Sequence, residues 1–291
     1  MRYPPVEPKN VLVTGCSTGI GAATAVALRE RGWRVIPTAR KEADLDALRR
    51  DGFEPVSLDM AESGSIAKAV EQVLALTDQA PGAVVNNAGY GQPGPIEAIS
   101  RDAMRRQFEV NVFGMQELTN ALIPHFRRNG GGRIVNISSV LGRVSFPFNA
   151  VYSASKFAME ALSDALRIEL DGSGIAVSLV EPGPIASAFR KNAVKIAHET
   201  LDFESSRWGT VFRAEVERRL GNPQPFNRFT LPPESVASKI AHALESPRPR
   251  IRYCVTIPAY AGAWARRLFP DAMTDAVIRR SARKKLRRAG N

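Results

Sequence analysis

The sequence is poor in residues that mark several classes of protein. Two cysteines, Cys16 and Cys254, occur among 291 residues, too few for a disulfide framework, so we expect a reducing, intracellular setting. The three histidines are scattered, which predicts no metal site. No apolar run is long enough to span a bilayer, and the first residues lack the apolar core of a signal peptide. These features together predict a cytoplasmic protein.

Basic charge is concentrated at the end of the chain. The net charge is +11, and seven basic residues lie in residues 276–291, which contain no acid. They are Arg279, Arg280, Arg283, Lys284, Lys285, Arg287 and Arg288. Without them the net charge falls to +4, so the excess is a basic tail rather than a basic binding face, and no nucleic-acid partner is expected. The tail is expected to be a solvated, frayed end; the alternative is an interfacial helix making weak peripheral contact with anionic lipid.

Strand and helix patterns alternate from Asn10 to Arg250. This alternation predicts an α/β fold with a doubly wound parallel sheet and helices on both faces. Short apolar runs predict buried strands at 11–13, 34–38, 83–85, 133–137 and 176–180, with a last strand near Tyr253. Helical patterns cover 22–31, 44–51, 63–77, 102–128 and 153–170. Without an internal repeat or a flexible linker, residues 1–291 are expected to form one domain.

Residues 187–233 interrupt this rhythm with helix formers, aromatic residues and then prolines. An insertion after the carboxyl end of a strand, where open α/β sheets bind ligands, predicts a small helical substrate lid. A packed pair of surface helices is the compatible alternative.

A glycine-rich loop, Thr14 to Gly21, follows the first strand and opens the first helix. Its glycines permit a tight turn and close approach of backbone N–H groups to a phosphate, which favours dinucleotide binding. Ala39 stands at the end of the second strand where an NAD-type carboxylate is expected, followed by Arg40 and Lys41. Because arginine pairs with a ribose 2′-phosphate, this end favours NADP(H) over NAD(H).

Tyr152 and Lys156 are spaced to share one face of a helix. A cation beside a phenol favours the phenolate and lowers its pKa from about 10 toward neutrality. The pair therefore predicts an acid/base device.

Together these motifs resemble the short-chain dehydrogenase/reductase family, over roughly residues 10–189. The resemblance implies a Rossmann-type fold, homodimers or homotetramers, and nearness to the steroid and retinol dehydrogenase branch. It implies catalytic roles for Asn111, Ser139, Tyr152 and Lys156, with Asn111 holding a proton-relay water. Ser139 is preferred to Ser138 because the family places this serine thirteen residues before the tyrosine.

The same resemblance implies a set of cofactor contacts along the chain. These are Gly15, Ser17, Thr18, Gly19, Ile20, Arg40, Lys41, Asp59, Asn87, Ala88, Gly89, Tyr152, Lys156, Pro182, Gly183, Ile185 and Ser187. Ser187 stands where the family's motif has threonine, keeping the hydroxyl without the methyl.

The implied reaction is hydride transfer between NADP(H) and a carbonyl or alcohol carbon. Residues 140–149 are largely apolar, which favours a small hydrophobic ketone, aldehyde or alcohol as substrate. Two alternatives stay open. One is reduction of acyl-thioester ketones, for which Arg190, Lys191 and Lys195 would form a basic rim. The other is a non-catalytic NADP-binding regulator.

Overall fold

The computed structural model describes residues 2–221 and 228–289. Residues 222–227 of the expected lid and the last two residues of the tail lie outside the described residues.

Seven parallel strands form one sheet in the order β3-β2-β1-β4-β5-β6-β7. They are β1 Asn10–Val13, β2 Arg34–Ala39, β3 Val56–Ser57, β4 Ala83–Asn86, β5 Gly132–Ile137, β6 Ile175–Pro182 and β7 Arg252–Val255. The order reverses between β1 and β4, and the carboxyl ends of strands beside such a reversal form a ligand-binding crevice. The predicted doubly wound parallel sheet is confirmed.

Helices connect the strands and cover both faces of the sheet. They are α1 Gly19–Glu30, α2 Glu42–Arg50, α3 Ser63–Leu76, α4 Arg101–Phe108, α5 Gly114–Arg128, α6 Ala150–Glu169, α7 Phe189–Thr200, α8 Gly209–Gly221, α9 Glu234–Glu245, α10 Ile257–Leu268 and α11 Asp271–Ala289. Short 3-10 turns cover Ile96–Ala98, Val140–Gly142 and Phe203–Ser205. No described helix combines the length and the apolar character needed to cross a bilayer.

The core has one layer on each face of the sheet because strand side chains alternate in direction. Val11 and Val13 of β1 pack with α1, α2 and α9, whereas Leu12 packs with α3, α5 and α6. A third, smaller apolar cluster joins α7 and α8 to the segment around Ile99 and to Val151.

Two predicted elements differ from the structure. The helix expected over 102–128 is interrupted by a π-helical turn, Glu109–Phe113, so α4 and α5 are separate elements. The tail is helical as far as Ala289, so the expectation of a frayed end is wrong for the backbone. This helix begins before the tail, at Asp271, and packs against α8.

Candidate active site

Tyr152 and Lys156 lie one turn apart on α6, as their spacing predicts. Lys156 Nζ is 5.8 Å from the centre of the Tyr152 ring and donates a 2.7 Å hydrogen bond to the carbonyl oxygen of Ile137. Ile137 ends β5, so this bond fixes the amine at the carboxyl edge of the sheet. Burial lowers the pKa of Lys156 to about 8, while the charge of Glu160 acts in the opposite direction.

The pKa of Tyr152 does not move in the expected direction. Burial raises it to about 12, and a side-chain hydrogen bond with Ser139 lowers it by a smaller amount. Desolvation penalises the charged phenolate, and here it outweighs the hydrogen bond with Ser139. The phenol is therefore a protonated group at neutral pH, suited to donating a proton.

Ser139 and Ser138 point to different surroundings. Ser139 caps the turn Val140–Gly142, where its Oγ accepts a 3.1 Å hydrogen bond from the backbone N–H of Leu141. The hydroxyl proton of Ser139 therefore remains available for the oxygen of Tyr152. Ser138 is buried and interacts with Glu160. Desolvation and the charge of Glu181 raise the pKa of Glu160, and the interaction with Ser138 opposes that rise. The geometry thus places Ser139, and not Ser138, beside the phenol.

Asn111 lies in the π-helical turn and is completely buried. Its Oδ1 accepts from the backbone N–H of Tyr90 at 3.1 Å, and its Nδ2 lies 3.0 Å from the Tyr90 carbonyl and 3.2 Å from Ser155 Oγ. The side chain therefore joins the segment after β4 to α6. Because both ends of the Asn111 amide are engaged in these bonds, a relay water near Asn111 would have to bind to a backbone carbonyl of the π-helical turn.

The loop between β1 and α1 forms an open cradle at the helix N-terminus. A Cβ at Gly21 would lie 2.2 Å from the Gly15 carbonyl oxygen, so loop and helix approach as closely as glycine allows. Ser17 and Thr18 are exposed, and Thr18 begins α1 without a side-chain capping bond. The first turn of α1 contains no acidic residue. The N–H groups at the start of a helix form an anion site when no carboxylate of the helix already binds them. This end of the cradle therefore fits a cofactor pyrophosphate.

The neighbouring strand ends fit the same cofactor. Asn87 Nδ2 donates to the carbonyl oxygens of Thr14 and Gly15 at 2.9 and 3.0 Å, which ties β4 to the cradle. A Cβ at Gly19 would be 3.0 Å from Ser187 Cβ, which places the segment after β6 next to the start of α1. Along β4 and β6, the remaining predicted contacts line the carboxyl edge of the sheet. They are Ala88, Gly89, Pro182, Gly183 and Ile185.

The adenosine end carries exposed basic groups. Arg40 and Lys41 follow β2 and are exposed. Arg40 Nη1 lies 3.7 Å from Asp59 Oδ2, so a cation and a carboxylate face each other at the edge of the cleft. Ala39 contributes no carboxylate of its own.

The segment predicted to be a lid covers the phenol. Phe189, the first residue of α7, has its ring centroid 5.4 Å from that of Tyr152. Phe148 contacts the rings of Trp208 and Phe212 and adopts a φ of 68°, a conformation that is strained for an aromatic residue. Contacts with α8 and the residues before it thus hold the loop that precedes Tyr152.

A buried ionic cluster beneath the site was not anticipated from the sequence. Arg252 Nη2 is 3.1 Å from Glu160 Oε2, and Arg252 Nε is 3.2 Å from Glu181 Oε1. Arg143 lies 3.6 Å from Glu181, so this residue of the 140–149 segment faces inward rather than toward substrate. One feature of the sequence could have indicated this cluster: Lys156 and Glu160 are four residues apart, which places a cation and a carboxylate one helical turn from each other.

The basic rim considered for thioester substrates is partly neutralised. Lys195 Nζ lies 3.8 Å from Glu199 Oε1 on the same helix, and Lys191 is exposed.

Comparisons with known proteins identify related chains. The family model described as short chain dehydrogenase matches residues 9–197. The uncharacterized oxidoreductase YbbO of Escherichia coli (strain K12) is 41% identical over 273 residues, covering 94% of this chain and 95% of that protein. Human 17-beta-hydroxysteroid dehydrogenase type 1 is 35% identical, covering 84% of this chain and 77% of the relative. A short chain dehydrogenase from Burkholderia cenocepacia J2315, solved in complex with NADP, is 26% identical with a TM-score of 0.73, covering 94% of this chain and 99% of that one.

Proposed function

This chain belongs to the short-chain dehydrogenase/reductase family, and we propose that it is an NADP(H)-dependent oxidoreductase interconverting a hydrophobic ketone or aldehyde and its alcohol. The observation that carries this proposal is the joint placement of Tyr152, Ser139 and Lys156. The hydroxyl of Ser139 interacts with the phenol. The amine of Lys156 lies 5.8 Å from the centre of the same ring and is held by the Ile137 carbonyl. All three lie beside the glycine cradle at the carboxyl edge of the sheet.

Tyr152 handles the proton of the reaction. The bound nicotinamide cofactor supplies or accepts the hydride. In reduction, Tyr152 donates its phenolic proton to the substrate oxygen as negative charge develops there; in oxidation, it accepts that proton. Ser139 donates a hydrogen bond to the same oxygen and stabilises the charge.

Lys156 and Asn111 support this exchange. The buried amine of Lys156 places a positive charge next to the phenol, and it would donate a hydrogen bond to the cofactor ribose. Asn111 holds α6 against the segment after β4, which fixes the distance between the proton donor and the cofactor. A proton would return from solvent through a water hydrogen-bonded to a backbone carbonyl of the π-helical turn and then through Lys156 to Tyr152.

Two features support NADP(H) as the preferred cofactor. Arg40 and Lys41 present positive charge at the adenosine end, and Ala39 offers no carboxylate to a ribose 2′-hydroxyl. Asp59, next to Arg40, is assigned to the adenine.

A hydrophobic substrate is supported by the walls of the cleft. Phe189 covers Tyr152, and Phe148 joins the aromatic residues of the lid. The relative that acts on hydroxysteroids, as its name states, also supports this substrate class. Thioester ketones are the second candidate, favoured only by exposed Lys191 on α7.

We also propose a cytoplasmic homodimer or homotetramer. The two cysteines are free thiols, which supports a reducing compartment. The exposed apolar side chains of Phe113, Leu162 and Ile168 on and next to α5 and α6 support association through these helices.

The test uses a panel of steroids, retinoids and acetoacetyl thioesters followed by NADPH absorbance, with Tyr152→Phe as the variant. We expect turnover to fall by about 10²- to 10⁴-fold, the contribution of a general acid, while NADPH binding is retained. Tyr260→Phe, which removes an exposed phenol on α10, is the control and should keep full activity. Full activity of Tyr152→Phe would refute the assignment. NADPH binding by the unmodified protein without turnover of any substrate would favour a regulator.

A further inference from the structure

The C-terminal helices carry a row of exposed apolar side chains. Ile257 is 70% exposed, Leu268 63% and Val277 71%. The apolar row consists of Ile257, Tyr260, Trp264 and Leu268 on α10, Phe269 in the connection, and Met273 and Val277 on α11. Single exposed apolar residues are common, but a contiguous group marks an interaction surface.

The row on α10 is a single helix face. Its four residues follow one another at intervals of three or four, which aligns them along the helix. The other face packs on the protein: Ala259 is buried, and Gly262 approaches Val140 closely. On α11, Met273 and Val277 are likewise one turn apart. The apolar row therefore faces away from the rest of the protein, and none of the described residues covers it.

Charge identifies the class of partner. Arg279 and Arg280 are exposed on α11, and residues 276–291 contain seven basic residues and no acid. A second copy of the chain packed on this surface would bring two such basic ends together. An anionic bilayer complements both properties, because it offers phosphate charge next to an apolar boundary. Tyr260 and Trp264 have the amphipathic rings that favour that boundary.

We propose that α10 and α11 dock on the surface of an anionic lipid bilayer, with the apolar row inserted at the headgroup–acyl boundary and the basic end against lipid phosphates.

Docking would place the cleft close to the bilayer. α10 packs against the turn Val140–Gly142, which directly follows Ser139. A hydrophobic substrate dissolved in lipid would therefore enter next to the residues that react with it. The docking itself does not depend on the reaction, so it can be tested apart from the proposed function.

The experiment is flotation of the full-length protein with vesicles at about 0.15 M salt, where exposed charges are screened over about 8 Å. One vesicle type is phosphatidylcholine alone, and the other has equal parts phosphatidylcholine and phosphatidylglycerol. We expect the protein to bind the anionic vesicles and to bind the neutral ones at least about tenfold less. Brominated lipid should quench the fluorescence component that Trp264→Phe removes.

Matched variants distinguish insertion of the apolar row from nonspecific adsorption to vesicles. Ile257→Ser/Leu268→Ser should weaken binding by about tenfold or more, because two aliphatic side chains no longer enter the boundary. Val26→Ser/Ile251→Ser changes two exposed aliphatic residues elsewhere and should bind normally. Arg279→Glu/Arg280→Glu should lose the preference for anionic lipid, whereas Arg127→Glu/Arg128→Glu, an exposed pair on α5, should keep it.

Circular dichroism of each variant confirms folding before binding is compared. The proposal is overturned by equal flotation of the Ile257/Leu268 and Val26/Ile251 variants, or by failure of the unmodified protein to float. It is also overturned by sedimentation in which the Ile257/Leu268 variant dissociates an oligomer without changing vesicle binding, since the apolar row would then contact a second copy.

Discussion

Phe189 packs against Tyr152 in a tilted arrangement, with ring centroids 5.4 Å apart and planes inclined by 58°. Tyr152 thus forms one wall of the cleft together with the first residue of α7. A Cβ at Gly91 would lie 3.1 Å from the Phe189 ring, so the same ring also contacts the segment after β4. Three parts of the cleft meet at one aromatic side chain.

Phe189→Ala is expected to raise KM for a hydrophobic ketone by about three- to tenfold, the value of one aromatic contact. The Kd for NADPH should not change, since the ring contacts the phenol rather than the cradle. Steady-state kinetics and fluorescence titration measure the two constants. Phe189→Leu, which keeps an apolar cover, should recover most of the loss. A KM unchanged in the alanine variant would show that substrate does not reach this ring.

The two adjacent serines provide an internal control. Ser139→Ala should lower kcat by about 10²-fold or more, because it removes a hydrogen bond to the developing charge. Ser138→Ala should keep kcat within about threefold, because its hydroxyl faces Glu160 rather than Tyr152. Single-turnover measurements separate chemistry from product release. Equal losses in both variants would contradict the placement of Ser139 at the reacting oxygen.

The pH dependence of reduction should report Lys156. Its pKa is lowered to about 8 by burial, so the ammonium is lost as pH rises through that value. Tyr152, with a pKa of about 12, keeps its proton over the same range. We therefore expect kcat/KM for ketone reduction to fall above about pH 8, because this parameter follows groups of the free enzyme.

Lys156→Arg provides the check on this assignment. Arginine stays charged throughout the measurable range, so the decline at high pH should disappear even though the overall rate is lower. A decline at the same pH in the arginine variant would assign it to another group.

Arg40→Asp should shift cofactor preference toward NAD(H). Loss of a charge-assisted bond to the 2′-phosphate predicts a fall of about ten- to a hundredfold in the ratio of kcat/KM for NADPH to that for NADH. Arg50→Asp makes the same charge change on exposed α2 and should leave the ratio unaltered. If the ratio stays constant in Arg40→Asp as well, Lys41 becomes the next residue to test.

The sheet could be predicted from sequence because its strands are buried on both faces and appear as short apolar runs. β3 was not predicted, since its two residues, Val56 and Ser57, are too few to form a pattern. The motif residues were located by resemblance, and the structure brings them to one edge of the sheet. Their roles remain proposals.

Features that depend on contacts between distant residues could not be predicted. Residues 109–113 look like ordinary helix, and the π-helical turn is accompanied by bonds from Asn111 to Tyr90 and Ser155. Burial raises the pKa of Tyr152, and the spacing of Tyr152 and Lys156 in the sequence gives no information about burial. The apolar row could not be predicted, because the helical spacing of its four α10 residues fits a buried face as well as an exposed one.

The close approach of Gly262 to Val140 has a mechanical consequence. A Cβ at Gly262 would lie 2.7 Å from Val140 Cγ2, so α10 has no clearance to tilt toward the turn that follows Ser139. A force that pressed α10 inward would displace Val140, and with it the adjoining Ser139, which caps the same turn.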